Sequence, residues 1–148
     1  MSFFQELISN RVFLVGSAGW FTAQALKVVF TLILERRWDF YRFFGLGGMP
    51  SSHAAVVCGV ATATGLQEGF YSVEFALAFT LACIVMTDAA GVRRAAGRQA
   101  ALLNKLVQDL VVSGPGPHYE RLKELLGHTP FEVLVGALLG TLLAVIMM

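Results

Sequence analysis

Long apolar runs alternate with shorter polar segments along this chain. Three of the runs, residues 12–34, 70–90 and 131–148, approach the roughly 20 residues that a helix needs to cross the hydrocarbon of a bilayer. A fourth run, residues 52–66, is shorter and rich in Ala, Gly and Thr, and small residues allow helices to pack closely. The pattern predicts an all-α fold, with one membrane-embedded domain over residues 1–148 that contains about four transmembrane helices.

The polar segment after residue 90 has a helical pattern of its own. Apolar residues recur at helical spacing at positions 102, 103, 106, 107 and 110, whereas Arg98, Lys105 and Asp109 lie off this stripe. The pattern predicts an interfacial amphipathic helix that lies on the membrane surface or over the mouth of the bundle. The sequence SGPGP at residues 113–117 then ends the helix.

Composition favours the membrane class over a soluble four-helix protein. Hydrophobic residues make up 56% of the chain and charged residues 14%, so a soluble bundle would have little polar surface to present to water. The net charge of +1 gives no indication of a nucleic acid partner. Cys58 and Cys83 lie inside apolar runs, where packing is the expected role rather than a disulfide or a metal site.

The basic residues are concentrated in two segments. Residues 35–50 and 91–128 hold nine of the eleven Lys and Arg residues, and four spans would put both segments on the same side. The positive-inside tendency places that side in the cytoplasm, at the plasma (inner) membrane, with both termini outside. Arginines that bind a substrate would produce the same distribution, so function is a second explanation of it.

The same topology brings polar residues from four helix ends to one membrane face. Arginine forks match phosphate oxygens, and the free amides at a helix start favour an anion. Two histidines can divide the work of a phosphoryl transfer, one as nucleophile and one as general acid. No carboxylate cluster and no Cys/His spacing indicates a metal, and we expect no cofactor. The converging residues are Arg36, Arg37, Ser51, Ser52, His53, Asp88, Arg93, Arg94, His128 and Glu132.

Two motifs resemble those of a known superfamily. The sequence PSSH at residues 50–53 is similar to the P-S-G-H motif of the type 2 phosphatidic acid phosphatase and vanadium haloperoxidase superfamily. The sequence GHTPFEVLVGALLG at residues 127–140 resembles its closing motif, in which a histidine is followed four residues later by an acid. The whole chain resembles the small divergent branch of that superfamily. The resemblance implies that His128 attacks phosphorus, that Glu132 orients its ring and that His53 protonates the leaving oxygen.

The basic motifs of the superfamily, K-x6-R-P and S-R-x5-H, are altered in this chain. Lys27 precedes Arg36 by nine residues, and its side chain is expected to lean toward the helix N-terminus, away from the site. A lysine within a span is nevertheless functional by default. Leu122 stands six residues before His128, so Arg93 or Arg94 is the expected replacement for the missing arginine. The predicted phosphate-binding residues are Lys27, Arg36, Arg37, Ser51, Ser52, Arg93 and Arg94, with Asp88 as a supporting residue.

Several of these residues also have purely structural explanations. Thr129, Pro130 and Glu132 have the pattern of a capping box with proline at the first helical position. Ser51 can serve as a helix N-cap. The arginines could anchor helix ends at lipid headgroups, and Asp88 is expected to pair with one of them. Each of these explanations is compatible with a role in a phosphate site.

Together the patterns and the resemblance predict a metal-independent integral membrane phosphatase. Its expected partners are the membrane and a lipid phosphate substrate, hydrolysed at a phosphomonoester through a phosphohistidine. On a cytoplasmic face, phosphatidate or phosphatidylglycerophosphate is favoured, and a polyprenyl pyrophosphate is an alternative substrate. The alternative class is a non-catalytic membrane protein that binds anionic lipid headgroups. The identity of the lipid and the formation of a homo-oligomer stay open.

Overall fold

Six helices make up the secondary structure of the described part of the chain, which contains no strand. The computed structural model describes residues 2–36, 48–111, 122 and 128–148, without the side chains of residues 34, 35, 92–94, 110 and 111. The all-α prediction is confirmed. The helices are α1 (Phe3–Ser9), α2 (Arg11–Glu35), α3 (Ser52–Glu68), α4 (Val73–Ala90), α5 (Val92–Val111) and α6 (Pro130–Met147).

Polar caps begin the four helices that correspond to the predicted apolar runs. The side chains of Asn10, Ser51, Ser72 and Thr129 each accept a hydrogen bond from the backbone N–H three residues further along. Such a bond satisfies one of the amides that have no partner within the helix. These local signals explain why the predicted bounds agree closely with the observed ones. Helix α1 was not predicted, because its seven residues are too short to show a periodic pattern.

Three segments are long and apolar enough to cross a membrane: Arg11–Ile33, Val73–Asp109 and Pro130–Met147. The second runs from α4 into α5 because Gly91 keeps the helical bonding pattern. Its N–H donates to the carbonyl of Thr87 at 2.9 Å, and its carbonyl accepts from Ala95 at 3.0 Å. Helix α3, the fourth predicted span, has 17 residues and is not among them. The three segments confirm a helical membrane bundle, and α3 as a fourth span stays a prediction.

Helix α3 lies at the centre of the bundle, in contact with α2, α4 and α6. Glycines on the neighbouring helices allow backbones to approach. A Cβ at Gly140 would collide with the backbone of Ala55, and one at Gly19 would lie 3.1 Å from the Ala55 carbonyl oxygen. Buried alanines such as Ala54 and Ala63 complete these contacts. Close packing of this kind replaces the hydrophobic driving force that is absent between helices in lipid.

The pairs of contacting residues give the direction of each helix. Along α2, Gly19 lies against Ala55 and Lys27 against Ser52, so α2 and α3 are antiparallel. Helix α6 runs parallel to α3, since Ser51 donates its backbone N–H to the carbonyl of Glu132 and Thr62 contacts Thr141. Helix α4 is antiparallel to α3, with Cys58 beside Met86. The starts of α3 and α6 therefore meet the ends of α2 and α4 at one end of the bundle, called here the polar end.

Helix α5 extends beyond this bundle and packs only against α4 among the described helices. Buried Asn104 holds the backbone of Leu122 by two hydrogen bonds, 2.8 Å to its carbonyl and 2.9 Å from its N–H. Leu102, Leu103 and Leu106 are exposed. The prediction of an amphipathic helix here is confirmed, and its position at a membrane surface stays a prediction.

Candidate active site

His128 and Glu132 form a pair at the start of α6. The Nδ1 atom of His128 lies 3.2 Å from Oε2 of Glu132, and the imidazole is 4% exposed. His128 stands two residues before α6 begins, and the Thr129 cap with the first turn of the helix brings Glu132 back to its ring. When Nδ1 carries the proton and donates a hydrogen bond to the carboxylate, Nε2 keeps its lone pair available. The pair is therefore arranged to present a nucleophilic nitrogen.

The same carboxylate closes the capping box of α6. Oε2 of Glu132 accepts a hydrogen bond from the backbone N–H of Thr129 at 2.9 Å, while Thr129 Oγ1 accepts from the N–H of Glu132 at 3.3 Å. Glu132 therefore caps the helix and contacts His128 through the same oxygen, and its role in orienting His128 stays a prediction. The cap holds the carboxylate in a defined position, and that position is the one from which it contacts His128.

The second histidine stands beside the first. His53 lies in the first turn of α3, and its ring centroid is 6.5 Å from that of His128, with the ring planes at 62°. The N–H of Ser51 that donates to the carbonyl of Glu132, at 3.1 Å, ties the two helix starts together. The two imidazoles, separated by 75 positions in the sequence, therefore face a common space at the polar end.

Lys27 reaches this end from the middle of the bundle. Its Nζ lies 3.3 Å from Oγ of Ser52, its side chain is 3% exposed, and Glu132 attracts it electrostatically. The expectation that its lean takes it away from the site is wrong. Because α3 runs antiparallel to α2 and begins alongside it, a side chain that leans toward the α2 N-terminus meets Ser52.

Two further buried polar residues accompany Lys27 on α2. Gln24 is 4% exposed and Thr31 is buried as well. Neither residue is among the predicted site residues. They lie three and four residues from Lys27, so the recurrence of polar residues at helical spacing within an apolar run was a signal that could have found them. They extend the polar surface of α2 on both sides of the lysine.

The serines of the predicted site have different surroundings. Ser51 is fully buried and caps α3, accepting from the N–H of Ala54 at 3.4 Å. Ser52, buried in the first turn, is the partner of Lys27. The first turn of α3 also supplies backbone amides that have no acceptor within the helix, next to a lysine and two histidines. An anion at this position would be attracted by all of these groups.

The predicted arginines are only partly described. Arg36 is exposed at the end of α2, where its backbone adopts a left-handed conformation with φ of 51°. Arg37 and the side chains of Arg93 and Arg94 lie outside the described residues. Asp88 lies half-buried in the last turn of α4, at the polar end. Its predicted pairing with an arginine stays a prediction.

The described residues include no group of three or more His, Cys, Asp or Glu side chains that could hold a metal ion. The pair of His128 and Glu132, with His53 nearby, brings two imidazoles and one carboxylate together at the polar end.

Similarity to other proteins extends over the helices that carry this site. The sequence model of the Divergent PAP2 family matches residues 8–143. The chain is also similar to the "Uncharacterized membrane protein YuiD" of Bacillus subtilis (strain 168), with 40% identity over 152 residues that cover 96% of each chain. No solved structure matches the chain. Both histidine-bearing helix starts fall within the matched residues.

Proposed function

Since the chain belongs to the Divergent PAP2 family, we propose that this membrane protein is a lipid phosphatase that hydrolyses a phosphomonoester. The observation that carries the proposal is the pair of His128 and Glu132 with His53 beside it. A protein that only binds phosphate needs cations but not two neighbouring imidazoles with different surroundings. Family membership and the geometry of the histidines support the same chemistry.

The reaction has two steps. The Nε2 lone pair of His128 attacks phosphorus, and the N–P bond forms as the bond from phosphorus to the ester oxygen breaks. The imidazolium of His53 gives its proton to the leaving oxygen. Neutral His53 then takes a proton from water, whose oxygen attacks phosphorus and releases His128 and inorganic phosphate. One water is consumed, and one alcohol and one phosphate are formed.

Charge stabilisation in this scheme comes from groups around the two histidines. Lys27 and the amides at the start of α3 neutralise the phosphoryl oxygens. Glu132 accepts a hydrogen bond from the Nδ1–H of His128 and stabilises the positive charge that develops on that ring during attack. The arginines predicted at the polar end, Arg36, Arg37, Arg93 and Arg94, are the further cations of the proposed phosphate site.

The position of the site along the helices supports a lipid substrate. The polar end lies where two candidate spanning helices end or begin, and helix ends are where lipid headgroups are expected. The basic segments favour the cytoplasmic leaflet, where phosphatidate or phosphatidylglycerophosphate is the proposed substrate. A polyprenyl pyrophosphate is the alternative substrate if the polar end faces outward.

Phosphate release from a panel of lipids tests the proposal. Purified protein in nanodiscs is given phosphatidate, phosphatidylglycerophosphate and a polyprenyl pyrophosphate, and inorganic phosphate is measured. We expect release from one of the first two lipids, and none by His128→Ala. The matched control is Thr141→Ala, on the same helix but far from the polar end, which should keep full activity. Release that persists in His128→Ala would contradict the proposal.

A second function is favoured by one observation. Lys27 contacts Ser52 instead of standing in the spacing of the superfamily's basic motif, and a buried lysine beside a helix start would bind an anionic headgroup without catalysis. A non-catalytic headgroup-binding protein would bind anionic lipids in the same nanodiscs and release no phosphate. Its His128→Ala variant would bind these lipids as tightly as the unchanged protein does. The assay therefore separates the two functions.

A further inference from the structure

Lys27 of α2 and Ser52, the first residue of α3, meet in the interior of the polar end. Their Nζ and Oγ atoms are 3.3 Å apart, although the residues are 25 positions apart in the sequence. Lys27 is 3% exposed and Ser52 is 4% exposed, so little water reaches either polar group. Because buried polar groups need a hydrogen-bond partner, this contact helps to fix the position of both side chains.

The chemistry of the two groups determines the direction of this hydrogen bond. An ammonium group, the form of Lys27 that Glu132 attracts, has three N–H donors and no acceptor, whereas a hydroxyl group has one donor and two acceptor lone pairs. Lys27 is therefore the donor, and Oγ of Ser52 is the acceptor. The hydroxyl hydrogen of Ser52 then points away from Lys27. The contact thus holds Ser52 as a hydrogen-bond donor to a third group.

The neighbours of Ser52 in the sequence place it beside the two histidines. His53 follows it directly, and the ring centroid of His53 is 6.5 Å from that of His128. Ser51 precedes it, and the backbone N–H of Ser51 donates to the carbonyl of Glu132 at 3.1 Å. The first turn of α3 also presents backbone N–H groups that have no acceptor within the helix. A hydroxyl donor at this position adds to the donors around the proposed phosphate.

The two residues in contact are also two departures from the superfamily motifs. Ser52 stands where the P-S-G-H motif has glycine, and Lys27 precedes Arg36 by nine residues in place of the seven of K-x6-R-P. Two residues correspond to about 200° around a helix, so this lysine faces a different direction relative to the arginine. The added hydroxyl group lies where the displaced lysine ends. One contact therefore explains both departures.

We propose that Ser52 donates its hydroxyl hydrogen to a phosphoryl oxygen of the bound lipid phosphate, and that Lys27 is a positioning residue that acts through Ser52. The lysine holds the hydroxyl group in the orientation of a donor and supplies its positive charge from behind it. The inference rests on the proposed function for the position of the phosphate. It adds a specific side-chain donor to the phosphate site and explains why the lysine is buried.

A double-mutant cycle tests whether Lys27 acts through Ser52. Its variants are Lys27→Met, Ser52→Ala and the combination of both, and kcat/KM for phosphatidate is measured in nanodiscs. We expect each single variant to lower kcat/KM about ten- to a hundredfold, the effect of one lost hydrogen bond to a charged group. In the Ser52→Ala protein, Lys27→Met should lower it further by less than about threefold. Equal losses with and without Ser52 would show that Lys27 contacts the phosphate directly, and would overturn the proposal.

Conservative variants of Ser52 separate its hydroxyl group from its volume. Ser52→Thr keeps the hydroxyl group and should retain kcat/KM within about threefold, whereas Ser52→Cys has a similar size but only a weak S–H donor and should lose about tenfold. If Ser52→Ala does not fold because Lys27 loses its partner, Ser52→Cys takes its place in the cycle. A folded Ser52→Cys with full activity would overturn the assignment of the donor.

Inhibition by vanadate distinguishes a role at the phosphate from a merely structural one. The Ki does not depend on how many protein molecules are folded, whereas the measured kcat falls in proportion to their number. We expect Ki for vanadate to rise about tenfold in Lys27→Met and in Ser52→Cys. A lower kcat with an unchanged Ki would mean that the variants only reduce the folded fraction, and would overturn the proposal.

Matched controls come from outside the polar end. Thr62→Ala removes a hydroxyl group from α3 ten positions further along, where Thr62 contacts Thr141 at 3.4 Å. Lys105→Met removes an exposed cation from α5. Both controls should leave kcat/KM and Ki for vanadate unchanged. If they lost as much as the variants of Lys27 and Ser52, the losses would not report a place beside the phosphate, and the assignment would be overturned.

This proposal and the proposed function fail separately. Phosphate release without coupling between Lys27 and Ser52 would end the hydrogen-bond proposal and keep the phosphatase. If no lipid phosphate is hydrolysed, the phosphatase proposal ends, and the cycle is measured as Kd for phosphatidate in nanodiscs by native mass spectrometry. Coupling in Kd would then keep the contact of Ser52 with the phosphate, and additive losses would end it.

Discussion

The starts of α3 and α6 run side by side and each carries a histidine, yet the two histidines are placed differently. His128 precedes the Thr129 cap and has Glu132 at the fourth position after it, in contact with Nδ1. His53 follows the Ser51 cap, within the helix, and the fourth position after it is Val57. A carboxylate on one nitrogen orients a ring for attack through the other. In the proposed mechanism, this difference supports His128 as the nucleophile and His53 as the proton donor.

The largest expected effect is the loss of turnover in His128→Ala. The nucleophile makes the bond to phosphorus, so its removal should abolish turnover of every substrate, including p-nitrophenyl phosphate, whose leaving group needs no proton. Rapid-quench trapping of phosphoenzyme should detect none. Rescue by p-nitrophenyl phosphate would show that the two roles have been assigned in the wrong order.

His53→Ala should have a smaller and substrate-dependent effect. General acid catalysis contributes about 10²- to 10⁴-fold, so hydrolysis of a lipid phosphate should fall by that factor. A good leaving group should recover most of the loss, and p-nitrophenyl phosphate should allow phosphoenzyme to be trapped. Equal residual activity of the two histidine variants on both substrates would contradict a division of roles between α3 and α6.

Glu132→Gln separates orientation from capping. Glutamine can still close a capping box, so the unfolding temperature should change little, whereas loss of the charge beside His128 should lower kcat roughly 10²-fold. Thr129→Ala is the matched variant, since it removes the cap and should cost about 1 kcal/mol of stability with a smaller effect on kcat. Both quantities are obtained from thermal unfolding and steady-state kinetics. If Glu132→Gln lost stability and kept its kcat, Glu132 would be a cap alone.

Gly140→Ala tests whether close packing holds the two helix starts in register. Its methyl group would collide with the backbone of Ala55, and such overpacking typically costs about 1–3 kcal/mol. We expect a lower unfolding temperature and reduced kcat, although no residue near phosphate has changed. Leu138→Ala, on the exposed face of α6, is the control and should change neither quantity. An unaffected kcat would mean that the site does not depend on the close approach of α6 to α3 at Gly140.

The smallest expected effect is that of a chelator. The two histidines supply nucleophile and proton donor, so EDTA should leave kcat/KM unchanged, whereas vanadate should inhibit as a mimic of pentacoordinate phosphorus. Activity that EDTA abolishes and magnesium restores would point to a different mechanism and would remove the basis for comparing the histidines.

The sequence alone determined the helices and the pair on α6. Run length and capping residues are local, so the bounds of α2, α4 and α6 and the contact between His128 and Glu132 followed from spacing. The resemblance in PSSH and GHTP also identified both histidines. The apolar run ends at residue 90 and the amphipathic pattern begins after it, so the sequence does not show that α4 continues into α5. The helical hydrogen bonds through Gly91 show that it does.

Only the tertiary structure decided which parts of different helices meet. Whether Lys27 contacts Ser52 depends on how far α3 lies along α2, and the close approach of Gly19 to the backbone of Ala55 fixes that register. Apolar periodicity tells which face of a helix is buried but not how far the helix slides along its neighbour. In this protein, close approach of small residues in three dimensions fixes that distance.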